Sequence, residues 1–196
     1  MTSKQEERIR NKIARIRKAL AADKKRWGGF HDDSRGLRYV PPEYFVKLRD
    51  YRGGLRYLRW FDRTFPDDMG FAVFLFEYTL ILFKTGKLKE AEKKSFQTYF
   101  VNNYLFNKFL EKPLLPIANQ DPSNRQTAEP TVAFVYPRQD PEYADFAAWL
   151  ENVLAGEKFT RFAREMVEID RKLATEPAGK TRTKLVKRLF ALIGEY

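Results

Sequence analysis

Four arginines recur along one predicted helix, and they are the side chains in this chain best placed to hold an anion. They are spaced by four, three and four positions, which puts them on one helix face: Arg52, Arg56, Arg59 and Arg63. Tyr57 and Trp60 lie among them in the sequence. Guanidinium groups beside aromatic rings suit the recognition of acidic groups or stacking on nucleic-acid bases. We predict an interaction surface made of these six residues; the alternative is that Asp62, Asp67 and Asp68 neutralise the arginines within the protein.

A second candidate is the only histidine, His31, in the glycine-rich loop of residues 28–36. Asp32 and Asp33 follow it, so the group could hold a metal or act as a general base with an orienting carboxylate. Adjacent loop residues rarely converge on one ion, and the chain has no other histidine to complete a typical site. No Lys-Ser/Thr pair follows the glycines, which excludes a P-loop. We therefore expect a structural or solvated loop, with no catalytic residue, no metal and no cofactor.

The composition limits the classes of protein to which this chain can belong. A chain of 196 residues with 17 phenylalanines can bury a substantial core. The lack of cysteine excludes a disulfide framework and a thiol nucleophile, and it fits a cytoplasmic protein. No apolar signal core, transmembrane span or lipidation signal is evident, so we expect no membrane insertion.

The net charge of +11 is unevenly distributed. Residues 1–65 hold 18 Lys/Arg and 8 Asp/Glu, whereas residues 66–155 hold 9 and 12. The excess of positive charge in residues 1–65 suits an acidic partner, nucleic acid or an anionic membrane surface. The simpler interpretation is that the charge provides solubility and electrostatic complementarity within the protein or between subunits.

A basic amphipathic helix is predicted over residues 1–27, starting at Ser3. Ser3 and Glu6 match a capping box, S-x-x-E. Its apolar positions follow a heptad stripe: Ile9, Ile13, Ile16, Leu20 and Trp27. We interpret it as a helix lying across the body of the protein. Self-association, partner binding, and contact with RNA or a membrane stay open, although the stripe is narrow for a membrane-surface helix.

Residues 37–42 should be extended because of Pro41 and Pro42, with a helix starting at Glu43. Asp50 can cap the next helix, in which Gly53 and Gly54 indicate close packing.

A further helix is apolar on nearly every side and should be buried; one face carries Leu75, Tyr78, Thr79 and Leu82. Gly86 then fits a left-handed C-cap before another helix begins.

Two stretches within residues 44–113 resemble tetratricopeptide repeats, which are helix pairs with a period of about 34 residues. The downstream match consists of Leu75, Leu82, Gly86, Leu88 and Ala91. The upstream match consists of Tyr51, Gly54, Leu58, Phe61 and Pro66. The chain departs from the repeat pattern elsewhere, since Pro41-Pro42 truncates the first upstream helix. The resemblance implies protein–protein interaction rather than catalysis, and an ordinary helical hairpin is the alternative.

A proline-rich connection is predicted over residues 113–138, with a strand-like run at residues 131–136. Three helices should follow within residues 139–196. We expect the first to start at Asp140-Pro141 and to end at Gly156, and the second to stop before Pro177. Thr181 or Thr183 should cap the last helix.

Together these patterns predict a single all-α domain, residues 1–196, with roughly eight helices and tetratricopeptide-like packing at its centre. The predicted function is a non-catalytic protein-interaction or scaffold module whose partner is a protein, acidic in character. Two alternatives are a nucleic-acid-binding protein with a basic helical surface and an enzyme with an unrecognised site. A homodimer stays open.

Overall fold

The computed structural model describes residues 1–32, 35–114, 131 and 134–196, and this part of the chain is all-α. It forms nine α-helices, one short 3₁₀ helix and no strand, which confirms the predicted fold class. The helices are α1 (Ser3–Arg26), α2 (Pro41–Lys47), α3 (Tyr51–Thr64), α4 (Ala72–Lys84), α5 (Leu88–Val101), α6 (Tyr104–Phe109), α7 (Ala144–Ala155), α8 (Glu157–Thr175) and α9 (Lys180–Glu195). Most of the predicted connection, with Val132 and Ala133 of the strand-like run, lies outside the described residues.

The chain divides into two compact units, Met1–Lys87 (unit 1) and Leu88–Tyr196 (unit 2). The single-domain and tetratricopeptide-like assignments stay predictions. Within the described residues, no helix combines the length and apolarity that crossing a bilayer requires.

Helix α1 begins at Ser3, as predicted, but its cap lies one residue before the predicted one. Thr2, not Ser3, is the N-cap: its hydroxyl accepts from the Gln5 N–H at 3.3 Å, and the Gln5 side chain accepts from the Thr2 N–H at 2.8 Å. Thr2-x-x-Gln5 is itself a capping box, so two overlapping candidates competed and the outer one forms. Ile13 and Leu20 of the apolar stripe are buried in unit 1, whereas Trp27 is exposed.

The segment before α2 differs from the predicted extended chain. Leu37–Tyr39 form the 3₁₀ helix η1, and α2 already starts at Pro41 rather than at Glu43. Both prolines occupy the first helical positions, where a missing N–H costs nothing because it has no partner inside the helix. Both are buried, so packing favours this compact path.

Helices α2, α3 and α4 form the centre of unit 1. Asp50 caps α3 as predicted, with its Oδ1 accepting from the Gly53 N–H at 2.9 Å. The predicted close packing is confirmed at Gly54, where a Cβ would lie 2.9 Å from Ile81 Cδ1 and 3.2 Å from the Cβ of Phe45. A larger residue there would push α3 away from both neighbouring helices.

Helix α4 is buried along almost its whole length, as its composition predicts. It ends at the predicted glycine: Gly86 has φ +73°, and its N–H donates to the Phe83 carbonyl while the Lys87 N–H donates to the Leu82 carbonyl. This is a Schellman motif, which satisfies carbonyls that the last helical turn leaves without partners.

In unit 2, α8 packs against α7 and α9, and aromatic rings fill the core. Phe96 of α5 stacks on Tyr196 with ring centroids 4.5 Å apart. Gly156 ends α7 and α8 stops before Pro177, as predicted. Two predicted starts are wrong. Asp140 forms a turn with the Glu142 N–H ahead of α7, which begins at Ala144.

The second wrong start concerns α9, which has Gly179 at its N-cap instead of a threonine. The Thr183 hydroxyl points the other way and donates to the Gly179 carbonyl at 3.0 Å.

Candidate interaction surface

The four arginines of the predicted surface project from one side of α3, and all four are exposed. We call Arg52, Arg56, Arg59 and Arg63 the arginine stripe. They fall within about 60° of one another around the helix and span about 16 Å along it. The opposite side of α3 is buried, with Gly54, Leu58 and Phe61 facing the core of unit 1.

The alternative of neutralisation by Asp62, Asp67 and Asp68 does not describe three members of the stripe. Among the described residues, Arg52, Arg56 and Arg63 have no ion pair within 4.0 Å, whereas Arg59 does have an interaction partner. Two of the proposed counter-ions act elsewhere. Asp62 accepts from the Tyr78 hydroxyl at 2.5 Å. Asp68 binds Arg38 and Tyr39, at 2.7 Å and 2.6 Å respectively.

The two aromatic members of the predicted surface lie in different places. Tyr57 is only 4% exposed and belongs to the core, where its hydroxyl donates to the Arg38 carbonyl at 2.7 Å. Trp60 is half-buried at the edge of the stripe, and its ring packs 5.2 Å from that of Tyr57. The exposed surface therefore consists of the stripe with the outer part of Trp60, and Tyr57 supports it from below.

Helix α1 adds positive charge beside the start of the stripe. Ile13 of α1 shares one apolar cluster with Phe45 and Tyr57, and Trp60 packs against that cluster. Arg10 Nη1 lies 3.7 Å from Oδ2 of Asp50, the N-cap of α3. Cations recur every seventh residue on this flank of α1, which is nearly two helical turns: Arg10, Arg17 and Lys24.

A second arginine site in unit 1, built around Arg38, was not predicted from the sequence. Its Nε donates to Asp68, and its guanidinium lies 4.6 Å from the Tyr39 ring centroid and 5.0 Å from that of Phe65. Asp68 also accepts from the Tyr39 hydroxyl and from the Gly70 N–H. We call Arg38, Tyr39 and Asp68 the Arg38 clamp, and it ties η1 to the loop between α3 and α4.

The surroundings of the clamp favour the protonated forms of both Tyr39 and Arg38. Burial, helped by the hydrogen bond to Asp68, raises the pKa of Tyr39 to about 12. Burial opposes the charged form of Arg38, but the hydrogen bonds and charge interactions with Asp68 and Tyr39 together outweigh burial and raise the pKa of that guanidinium. The Nε of Arg38 and the hydroxyl of Tyr39 both donate to Asp68, so these groups are used within the clamp, which is suited to holding structure rather than to reacting.

His31 lies in a loop, as predicted, and its side chain is packed inside unit 1 rather than solvated. Its side chain is 7% exposed, its ring centroid is 4.9 Å from that of Phe65, and Nδ1 lies 3.7 Å from Asp23 Oδ2. Its carboxylate neighbour is thus on α1, not at the adjacent Asp32. In the described part of the chain, no group of three or more His, Cys, Asp or Glu residues could hold a metal ion. That the chain binds no metal or cofactor stays a prediction.

Unit 2 contains an open cavity of about 620 Å³ between the end of α6 and residues 134–139. Two of the basic side chains that line it already have partners within the protein. Arg138 binds Glu151 at 3.1 Å and the Leu110 carbonyl at 3.0 Å, and Lys112 lies 4.0 Å from the same glutamate. The arginine stripe is therefore the stronger candidate for holding an anionic partner.

Comparison of the chain with protein-family models, curated proteins and solved structures found no significant match.

Proposed function

We propose that the chain is a non-catalytic interaction module, and that unit 1 binds an acidic segment of a partner protein along the arginine stripe. One observation carries this proposal: Arg52, Arg56 and Arg63 are exposed without an ion pair among the described residues. Like charges three or four residues apart destabilise a helix by about 0.2–0.5 kcal/mol per pair. An arrangement that works against folding in this way is expected where the cations act on something outside the protein.

The shape of the stripe suits an acidic helix lying alongside α3. Carboxylates at positions i, i+4, i+7 and i+11 of such a helix would repeat the same spacing over the same length, about 16 Å. Arginine can bind each carboxylate with two parallel hydrogen bonds. The exposed edge of Trp60 offers apolar contact next to the charges, and aromatic residues with arginines are typical of interface hot spots.

Nucleic acid is the second candidate, and helix α1 favours it. This helix carries ten Lys/Arg against three Asp/Glu, and Arg10 brings it beside the start of α3. An extended polyanion could contact both helices, whereas a short acidic helix would contact the stripe alone.

The test measures binding of a fluorescein-labelled acidic helical peptide, glutamate-rich at the spacing of the stripe, by fluorescence anisotropy at low and high salt. An RNA oligonucleotide of equal charge serves as the second probe. Arg52→Gln/Arg56→Gln should weaken peptide binding about tenfold and reduce its salt dependence, because two exposed charge contacts are lost.

The matched control is Arg164→Gln/Arg171→Gln on α8, which removes the same charge from two exposed arginines. If both double variants weaken binding equally, net charge alone attracts the peptide and the stripe is not a site. Tighter, stripe-dependent binding of the RNA would replace the protein partner with nucleic acid.

A further inference from the structure

The turn that follows α1 presents two aromatic side chains to solvent next to three cations. Trp27 is 48% exposed and Phe30 is 79% exposed. The cations fill the last turn of the helix: Lys24, Lys25 and Arg26. We call residues 24–30 the α1 tip. Two large rings in one short turn are a concentrated apolar feature, unlike the singly scattered apolar residues of ordinary surfaces.

Hydrogen bonds fix the shape of the α1 tip. The Trp27 N–H donates to the Asp23 carbonyl at 3.0 Å, and the Gly29 N–H donates back to the Lys24 carbonyl at 2.9 Å. The Phe30 N–H donates to the Trp27 carbonyl at 3.2 Å. Gly28 and Gly29 have φ values of +62° and +105°, which side chains with a Cβ rarely adopt. The rings are thus held on a defined turn.

The residues after the tip explain why Phe30 points outward. His31 turns inward against Phe65, and the Asp32 N–H donates to Asp23 Oδ2 at 2.8 Å. The chain is therefore anchored on both sides of Phe30. Unit 1 uses Ile13 and Leu20 of α1 for its core, and Trp27 and Phe30 have no such place in it.

We propose that the α1 tip docks on an anionic lipid surface, with Trp27 and Phe30 entering the interfacial layer and the cations contacting lipid phosphates. This surface is distinct from the arginine stripe and does not depend on the function proposed for it. Tryptophan rings favour the depth of the headgroups, and clustered Lys and Arg are attracted to anionic leaflets. Of the nearby acidic groups that the structure describes, Asp23 lies beside His31 and accepts from the Asp32 N–H, and Asp32 is exposed as an opposing charge.

Two features favour lipid over single-stranded nucleic acid. The guanidinium of Arg26 lies 5.7 Å above the Trp27 ring, so one of the two faces that a base would stack on is occupied. The rings also stand exposed on a short turn at the end of a helix, whereas strand-binding proteins place stacking rings along a groove that tracks the phosphates. Two exposed rings on such a turn suit shallow entry into a bilayer surface.

The experiment uses the full chain and two vesicle preparations, pure phosphatidylcholine and phosphatidylcholine mixed with phosphatidylserine. Co-sedimentation should occur with the mixed vesicles only and should weaken at high salt. Phe30→Ala should reduce binding to the mixed vesicles about tenfold, because the inserted apolar area sets the strength of such binding. Tryptophan fluorescence should shift to shorter wavelength on binding, and Trp27→Ala should abolish the shift.

The matched control for Phe30→Ala is Phe190→Ala, which removes a ring that is 47% exposed on α9. The control for Lys24→Gln/Lys25→Gln is Lys184→Gln/Lys187→Gln, also on α9. Each tip variant should lose binding while its control does not, with melting curves confirming that all variants fold. Equal losses in tip and control variants, binding to both vesicle types alike, or no binding to the mixed vesicles would overturn the proposal. Binding of an RNA oligonucleotide that depends on Trp27 would overturn it in favour of base stacking.

Discussion

Arg38 and the arginine stripe place the same side chain in opposite situations within unit 1. The Arg38 guanidinium lies near two aromatic rings and its Nε donates to Asp68 at 2.7 Å, so its charge is used inside the protein. Arg52, Arg56 and Arg63 are exposed, and no described carboxylate pairs with them.

The difference separates arginines that hold the fold from arginines available to a partner. A guanidinium with a carboxylate and two rings around it contributes to stability, since its bonds survive only in the folded chain. Exposed guanidiniums on one helix face contribute little or oppose folding slightly. Substitutions should therefore affect stability at one site and binding at the other.

The largest effect is expected from breaking the Arg38 clamp with Asp68→Ala. The substitution removes the acceptor for Arg38, Tyr39 and the Gly70 N–H at once. Hydrogen bonds to a charged group contribute about 1.5–3 kcal/mol, so we expect a loss of about 2–3 kcal/mol in the free energy of unfolding. Urea denaturation measures it, and Asp67→Ala, at the exposed neighbouring carboxylate, is the control. An equal and small loss in both variants would show that the clamp has no special role.

A smaller, pH-dependent effect is expected from Tyr39→Phe. The pKa of Tyr39 is raised from 10.0 to about 12, so the folded state binds this proton more tightly than the unfolded chain. The contribution to stability is complete below about pH 10 and is lost as the pH rises toward 12. The stability difference between the parent and Tyr39→Phe should therefore shrink over that range. A stability difference that stayed constant over this pH range would contradict the raised pKa of the Tyr39 hydroxyl.

The smallest effect on folding is expected at the arginine stripe. Arg52→Gln/Arg56→Gln should change the free energy of unfolding by less than about 0.5 kcal/mol, toward greater stability, because a repulsive pair is removed. Arg38→Gln, measured beside it, should lose about 2 kcal/mol. A loss above about 1 kcal/mol in the double variant would mean that the stripe supports the fold, and the comparison with Arg38 would fail.

Local signals in the sequence were sufficient for much of unit 1. Asp50 caps α3, Gly54 meets Ile81, and Gly86 ends α4, because each of these depends on a few neighbouring residues or on helical spacing. The start of α1 shows the limit of such signals. Thr2-x-x-Gln5 and Ser3-x-x-Glu6 are both capping boxes, and nothing in the sequence ranks them.

The predicted surface was right about the exposure of the arginines and wrong about Tyr57 for a geometric reason. Neighbours in a helix are rotated by about 100°, so a residue next to Arg56 in the sequence points elsewhere. Tyr57 shares the i, i+3, i+4, i+7 pattern of the inner face with Gly54, Leu58 and Phe61, and that periodicity indicated burial.

The Arg38 clamp could not be predicted from spacing. Arg38 and Asp68 are 30 residues apart, and their meeting depends on how η1 and the loop before α4 are placed by the folded unit. The same holds for His31, which has a carboxylate neighbour in Asp23 on α1, eight residues earlier in the chain.

The burial of α4 has a consequence for hydrogen exchange. Ten of its residues, Ala72 and all those from Phe74 to Leu82, are buried, and a Schellman motif closes its C-terminal end. Amides of such a helix exchange with deuterium only when a large part of the structure opens, while those of exposed turns exchange through local fluctuations. The amides from Phe76 to Leu82 should therefore be the slowest in unit 1, and they provide a reporter of its global opening rate in the intact chain.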